Sequence, residues 1–212
     1  MFSYPGSAEV FAELGDKVLE AFSQTVRGAT EDLRDYRAAF PTWVADHSER
    51  GLSNWIHDRL WARVEKSLDA IPGVTVSSGE PTREVTVGLR YRLRMKRHSE
   101  DGAISTYHTQ TALEFNMQGL QEAFPNMEEI RLTVGYVWNP RSRTMGDPVL
   151  SLRDGMDNVV WVEVLPDFGQ AAGNAERPIQ PTPVPPVSGP PTPTVEVHTA
   201  EESAEDSEGK PT

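Results

Sequence analysis

The chain has 212 residues, a formal net charge of −12, 17 prolines and no cysteine, and 37% of its residues are hydrophobic. That balance fits one ordinary domain joined to a segment that buries little. It excludes disulfides and thiolate metal sites, and it argues against a DNA-coating role, which needs a basic surface.

No apolar run is long enough to span a bilayer, and the start MFSYPGSAEV lacks the basic and apolar regions of a signal peptide. A cytoplasmic protein with no membrane partner is expected.

The first third reads as helical. Val10, Phe11, Leu14, Val18, Phe22 and Val26 recur mostly every fourth residue, which predicts one helix with Ser7 as its N-cap. Thr30, followed by Glu31 and Asp32, reads as a second helix start, and Pro41 stops that helix after Phe40. A third helix opens near Ser53 or Asn54 and carries the stripe Ile56, Leu60, Val64 and Leu68, ended by Pro72-Gly73.

The period then changes to two. Val74 and Val76 open a short strand that turns at Gly79-Glu80-Pro81. From Glu84 to Lys96, Val85, Val87, Leu89, Tyr91, Leu93 and Met95 point one way, while Arg90, Arg92, Arg94 and Lys96 point the other. Glu100-Asp101-Gly102 is a hairpin signal, so a strand is expected to return over Ile104 to Met117. In the register that sets apolar against apolar, Leu93 faces Thr111, Tyr91 faces Leu113 and Arg90 faces Glu114. Further strands are predicted over Ile130–Trp138, Val149–Arg153 and Val159–Leu165.

The expected fold is α+β: three N-terminal helices packed on one face of an antiparallel β-meander of five or six strands. This domain covers 1–167. Residues 168–212 hold nine of the prolines, seven acids and two bases, and read as a disordered, proline-rich acidic tail. Leu60 and Leu93 are expected to join the third helix to the sheet.

The most distinctive motif is the basic row Arg90, Arg92, Arg94 and Lys96. Its members sit about 6.6–6.8 Å apart on one strand face, where they can meet successive anionic groups. His108, Gln110 and Glu114 fall on the same face in the expected register and complete a candidate binding site. The competing reading is a solvated outer face that blunts aggregation.

No catalytic set emerges. No nucleophile or second carboxylate joins His108 by spacing, and no two of the five histidines have helical metal-site spacing. A magnesium-nuclease pattern fails because no lysine follows Glu163 at the required spacing. No metal and no cofactor is expected. The PxxP spacings at Pro178–Pro181, Pro183–Pro186 and Pro190–Pro193 fit module ligands or a plain spacer.

The blocks GLRYRLRMKRH, STYHTQTALEF, GYVWNP and VLSLRDGMDNVVW resemble a set of uncharacterised bacterial proteins encoded beside helix-turn-helix regulators that carry a zinc metallopeptidase domain. The resemblance covers about residues 50–166. It implies a regulatory or stress-linked partner protein and assigns no site residue.

The leading functional reading is therefore a non-enzymatic binding protein, a regulatory or toxin–antitoxin-like partner of another protein. A small-ligand-binding or hydrolytic domain with a pocket between helices and sheet is the second. Nucleic-acid binding through the Arg90–Lys96 strand face is the third.

Overall fold

Leucines and branched residues at every fourth position build the frame. Leu52, Ile56, Leu60, Val64 and Leu68 are all buried along one side of helix α4, Glu49–Leu68. Ser48 caps it, its Oγ accepting from Gly51 N at 3.0 Å. The structure is a computed structural model that describes residues 3–79, 82–119, 122–124 and 127–168. The chain divides into two units, Met1–Asn174 and Ala175–Thr212, and the helices and sheet all belong to the first. Beyond Phe168, the tail expected at 168–212 lies outside the described residues.

The described residues hold five helices rather than three N-terminal ones. Helix α1, Ser7–Leu14, ends at Gly15, whose φ of 78° suits glycine, and α2 then runs unbroken over Asp16–Ala39. The helix start expected at Thr30 is absent. Its hydroxyl donates instead to Val26 O at 2.9 Å, one turn back in the same helix. Gly6, not Ser7, takes the N-cap position of α1. Pro41 opens a short helix, α3, Pro41–Asp46.

Helices α2 and α4 lie together on one face of the sheet. Val18, Leu19, Phe22, Val26, Ala29 and Leu33 of α2 meet the α4 stripe and the inward residues Leu93, Leu132, Val134, Leu150 and Leu152 in one core. No helix among the described residues is long and apolar enough to cross a membrane.

The sheet has six strands in the order β1-β2-β3-β6-β7-β8: β1 Val74–Ser77, β2 Glu84–Val87, β3 Tyr91–His98, β6 Ile130–Asn139, β7 Thr144–Arg153 and β8 Val159–Val164. A two-stranded ribbon, β4 Glu122–Phe124 and β5 Met127–Glu128, precedes β6.

The sheet departs from the expected meander in two ways. The long strand Glu84–Lys96 is a hairpin: Val87 pairs with Tyr91 and Val85 with Leu93 across a turn at Gly88, Leu89 and Arg90. Gly88 has φ 60°, and Leu89 is 61% exposed rather than inward.

The sheet is also mixed, because β3 and β6 pair in parallel, Leu93 opposite Leu132 and Lys96 opposite Gly135. The strand expected over Ile104–Met117 does not form. Only Ile104 bridges back, to His98, and residues 110–116 form helix α5, Gln110–Asn116. Ala112, Phe115 and Asn116 are its buried residues, a helical spacing, and Thr109 Oγ1 caps it by accepting from Ala112 N at 3.2 Å. The chain therefore crosses over and re-enters the sheet parallel to β3.

The crossover covers the face of the sheet away from α2 and α4. Phe115 lies under the Arg94 guanidinium, 3.9 Å from its ring centroid. Gln118 Nε2 donates to the carbonyls of Arg131 and Arg153 at 2.8 and 2.7 Å, closing the end of the β6–β7 ladder.

Candidate functional site

Strand alternation gives Arg92, Arg94, Lys96 and His98 to one face of β3, but the basic row is not a bare cationic stripe. Arg90 sits in the β2–β3 turn, where it donates to Glu13 of α1 at 2.7 Å and approaches Glu9 at 3.7 Å. Arg92 reaches Glu129 at 3.3 Å and Glu84 at 3.8 Å. Arg94 is paired with Glu84, its Nε donating at 2.8 Å. Acids thus neutralise these three charges at close range, which takes away the repulsion a row of arginines would otherwise carry.

Lys96 differs. Its Nζ donates to Thr106 Oγ1 at 3.2 Å, and it forms none of the ion pairs among the described residues.

The other three candidates belong to the crossover segment that covers the row's face, not to a strand within it. His108 is exposed in the segment leading to α5, and Gln110 and Glu114 are exposed on α5, where Gln110 Nε2 donates to Glu114 Oε1 at 2.7 Å. The strand register that placed them beside Arg92 and Arg94 is not the one that forms.

A cleft opens where β3 loses its neighbour. Strand β2 pairs only with Tyr91, Arg92 and Leu93, so among the described residues β3 has an open edge from Arg94 until the His98–Ile104 bridge. Alternation turns the backbone N–H and C=O of Met95 to that open side, with those of Leu93 and Arg97; Arg97 O accepts there from Ser105 N at 2.9 Å. Because the cleft lies along an edge, side chains from both faces of β3, Met95 and Lys96, reach it.

The first lobe, about 500 Å³, lies between the N-terminal half of α4 and residues 105–107, with Tyr136 of β6 at its back. A second lobe of about 450 Å³ is bounded by Arg83 and Arg94. His57, Met95 and Lys96 line both lobes.

The charges in the cleft are mostly positive. Arg83 is held by Asp58 at 2.8 Å, and Arg97 by Glu49 at 3.3 Å. Arg50 at the rim makes no ion pair among the described residues, and its guanidinium stands 5.8 Å from the Tyr107 ring centroid. Burial, then the nearby Arg83 and Lys96 charges, lower the His57 pKa against the opposing pull of Asp58, which favours the neutral imidazole. Burial and then Arg94 lower the pKa of the Lys96 ammonium.

A cleft with cationic and donor groups and one unpaired ammonium can hold an anion. Of these residues sequence reasoning found only Lys96 and Arg94. His57, one of the five histidines without metal-site spacing, carried no signal, and the end of β2, which makes the cleft, is hidden by alternation running on through Leu89.

A second polar cluster lies inside the protein. His98 Nε2 is 3.0 Å from Ser151 Oγ, and Thr133 Oγ1 is 2.5 Å from that same oxygen. His98 and Ser151 are fully buried beneath the crossover, so no substrate reaches this serine–histidine contact, and among the described residues no carboxylate orients the ring as an acyl-transfer site needs. Among the described residues no three acids or histidines gather to hold a metal ion. Comparison with family models, with curated proteins and with solved structures returns no match.

Proposed function

We propose that the protein is a binding protein rather than a catalyst, and that the cleft between α4 and the open edge of β3 takes a small anionic ligand. One observation carries the reading: the Lys96 ammonium, lining both lobes, has a hydroxyl for a partner and no carboxylate among the described residues. A partly buried charge without a counter-ion is costly, and an incoming anion supplies one.

The test is titration of the full chain with inorganic phosphate and with succinate, followed by amide shifts in the NMR spectrum. Shifts at Ser105, Thr106 and Lys96 are expected, with affinity falling as salt rises. Lys96→Met should weaken binding about tenfold or more, the worth of one hydrogen bond to a charged group. Unchanged affinity in that variant removes the reading.

A second reading, a regulatory partner of another protein, rests on a different surface. Phe40 and Trp43 are 45% and 61% exposed and stack on each other with centroids 4.6 Å apart. Large exposed aromatics are the residues that anchor protein interfaces. Capture from native cells with wild type and with Phe40→Ala/Trp43→Ala tests it; identical captured sets count against it. Nucleic-acid binding through the Arg90–Lys96 face has the least support, since Arg90, Arg92 and Arg94 already have acidic partners.

A further inference from the structure

Resting on the anion-binding reading, we infer that the ligand is a small carbonyl compound bearing an anionic group, which Lys96 captures as an imine. The geometry supplies the two parts of such a site. Lys96 lies on the floor of the cleft, its amine steadied by Thr106 and, among the described residues, free of any ion pair that would hold it protonated. Arg50 lies at the rim of the same lobe, cationic and without an acidic partner among the described residues, positioned to take the carboxylate or phosphate.

The electrostatics favour the nucleophile. Burial and the neighbouring Arg94 charge both disfavour the ammonium form of Lys96, which raises the share of free amine. His57 lines both lobes with Lys96, and its lowered pKa favours the neutral imidazole, a candidate proton acceptor at this site.

The chemistry balances without an oxidant or reductant. The Nζ lone pair attacks the carbonyl carbon, a C–N bond forms, and the C=O π pair moves to oxygen. Nitrogen loses one proton and oxygen gains one, giving a carbinolamine. The hydroxyl then takes a second proton and leaves as water, while the nitrogen lone pair closes the C=N bond and nitrogen gives up its remaining proton, which replaces the one the hydroxyl took. One amine and one carbonyl give one imine and one water, with His57 relaying the protons.

The experiment uses the full chain. It is incubated with glyoxylate, with pyridoxal 5′-phosphate and, as an uncharged control, with propionaldehyde; borohydride then fixes any imine as a secondary amine, and peptides are mapped by mass. The chain has only four lysines, Lys17, Lys66, Lys96 and Lys210, so assignment is direct.

Expected is labelling of Lys96 by one or both anionic aldehydes about tenfold faster than of Lys17 or Lys66, the preference of an activated amine. The two anionic probes separate a carboxylate site from a phosphate site. Equal labelling of the lysines overturns the inference, and so does labelling of Lys96 by propionaldehyde as fast as by glyoxylate. Lys96→Arg, which keeps the charge and loses the nucleophile, should still bind phosphate while forming no adduct in the cleft. If wild type binds phosphate in the cleft yet Lys96 stays unlabelled, the imine fails and the anion reading stands. If neither occurs, both fail.

Discussion

Asp32 of α2 takes Arg63 of α4 with both carboxylate oxygens, Oδ1 accepting from Nη2 at 2.7 Å and Oδ2 from Nε at 2.9 Å. Arg59 adds a third bond to Oδ2 at 2.9 Å. Gly28 makes room for this, since a Cβ there would lie 2.3 Å from Arg63 Nη1. The fork fixes how α2 and α4 lie against each other, and so where α4 stands over the cleft.

The bonds from Arg63, and then from Arg59, hold the Asp32 carboxyl below its ordinary range. A depressed folded-state pKa gives stability that is present above the unfolded value, near 3.8, and is lost as pH falls through the folded one. Asp32→Asn should therefore cost about 1.5 kcal/mol at neutral pH, the low end for bonds to a charged group because Arg63 is 35% exposed. Urea melts should show that deficit shrinking well below pH 3.8, where the wild-type carboxyl is also neutral. An equal deficit at both pH values would show that the charge contributes nothing.

Leu60 and Leu93 join α4 to the sheet, at 1% and 0% exposure. Truncating either to alanine should cost roughly 2–5 kcal/mol, the transfer loss plus the cavity left behind. Denaturant titration measures this, and a cost under about 0.5 kcal/mol would place either residue at the surface.

Gly135 stands where β6 runs beside β3. A Cβ on it would lie 1.8 Å from the backbone oxygen of Lys96, which cannot swing aside as a side chain can. Gly135→Ala should cost at least about 3 kcal/mol or prevent folding. Gly79→Ala, where a new Cβ would meet nothing among the described residues closer than a serine hydroxyl at 4.0 Å, is the control and should melt near the wild-type temperature. Matching melts for the two variants would show that the β3–β6 approach is slack.

His98 gives a prediction in pH. Burial, then the nearby Arg153 charge, push its pKa down from 6.5 to about 4, so the folded protein keeps the ring neutral where the unfolded chain would protonate it. The stability from this neutral ring is fully present above pH 6.5 and is lost as pH falls from there toward 4. The difference is of order 3 kcal/mol at its largest. His98→Gln should flatten this part of the stability–pH curve, read from urea midpoints between about pH 7 and pH 4. Parallel curves for wild type and variant would mean that His98 does not titrate in this range.

The helical frame was legible because its signal is local and strong. The stripe from Ile56 to Leu68 belongs to α4, and Pro41 ends the preceding helix as expected. Thr30 misled because a threonine followed by acids looks the same whether its hydroxyl caps a new helix or bonds back within an old one.

The sheet was harder to read. The β2–β3 turn has three residues, so Val85, Val87, Tyr91, Leu93 and Met95 keep one parity straight through it, and two strands read as one. Residues 107–117 likewise carry an alternating pattern and a helical one together, and burial of Phe115 with Ala112 and Asn116 decides for the helix. Part of the candidate site was therefore visible, Lys96 and Arg94 by type. The cleft was not, since it exists only because a strand stops early.

The parallel ladder between β3 and β6 is a seam between two locally built halves. On one side α1 to β3 and on the other β6 to β8 are joined by neighbouring helices and hairpins, which close over short stretches of chain. The seam pairs Tyr91 with Ile130 and His98 with Val137, about forty positions apart, so its loop-closure entropy must be met before its contacts return anything. By this measure it closes later than the hairpins on either side of it. Tyr136 reaches the cleft from the far side of the seam, so the cleft is complete only in a chain whose halves have been sewn together. A ligand bound there would report on, and by mass action reinforce, the joining of these two parts.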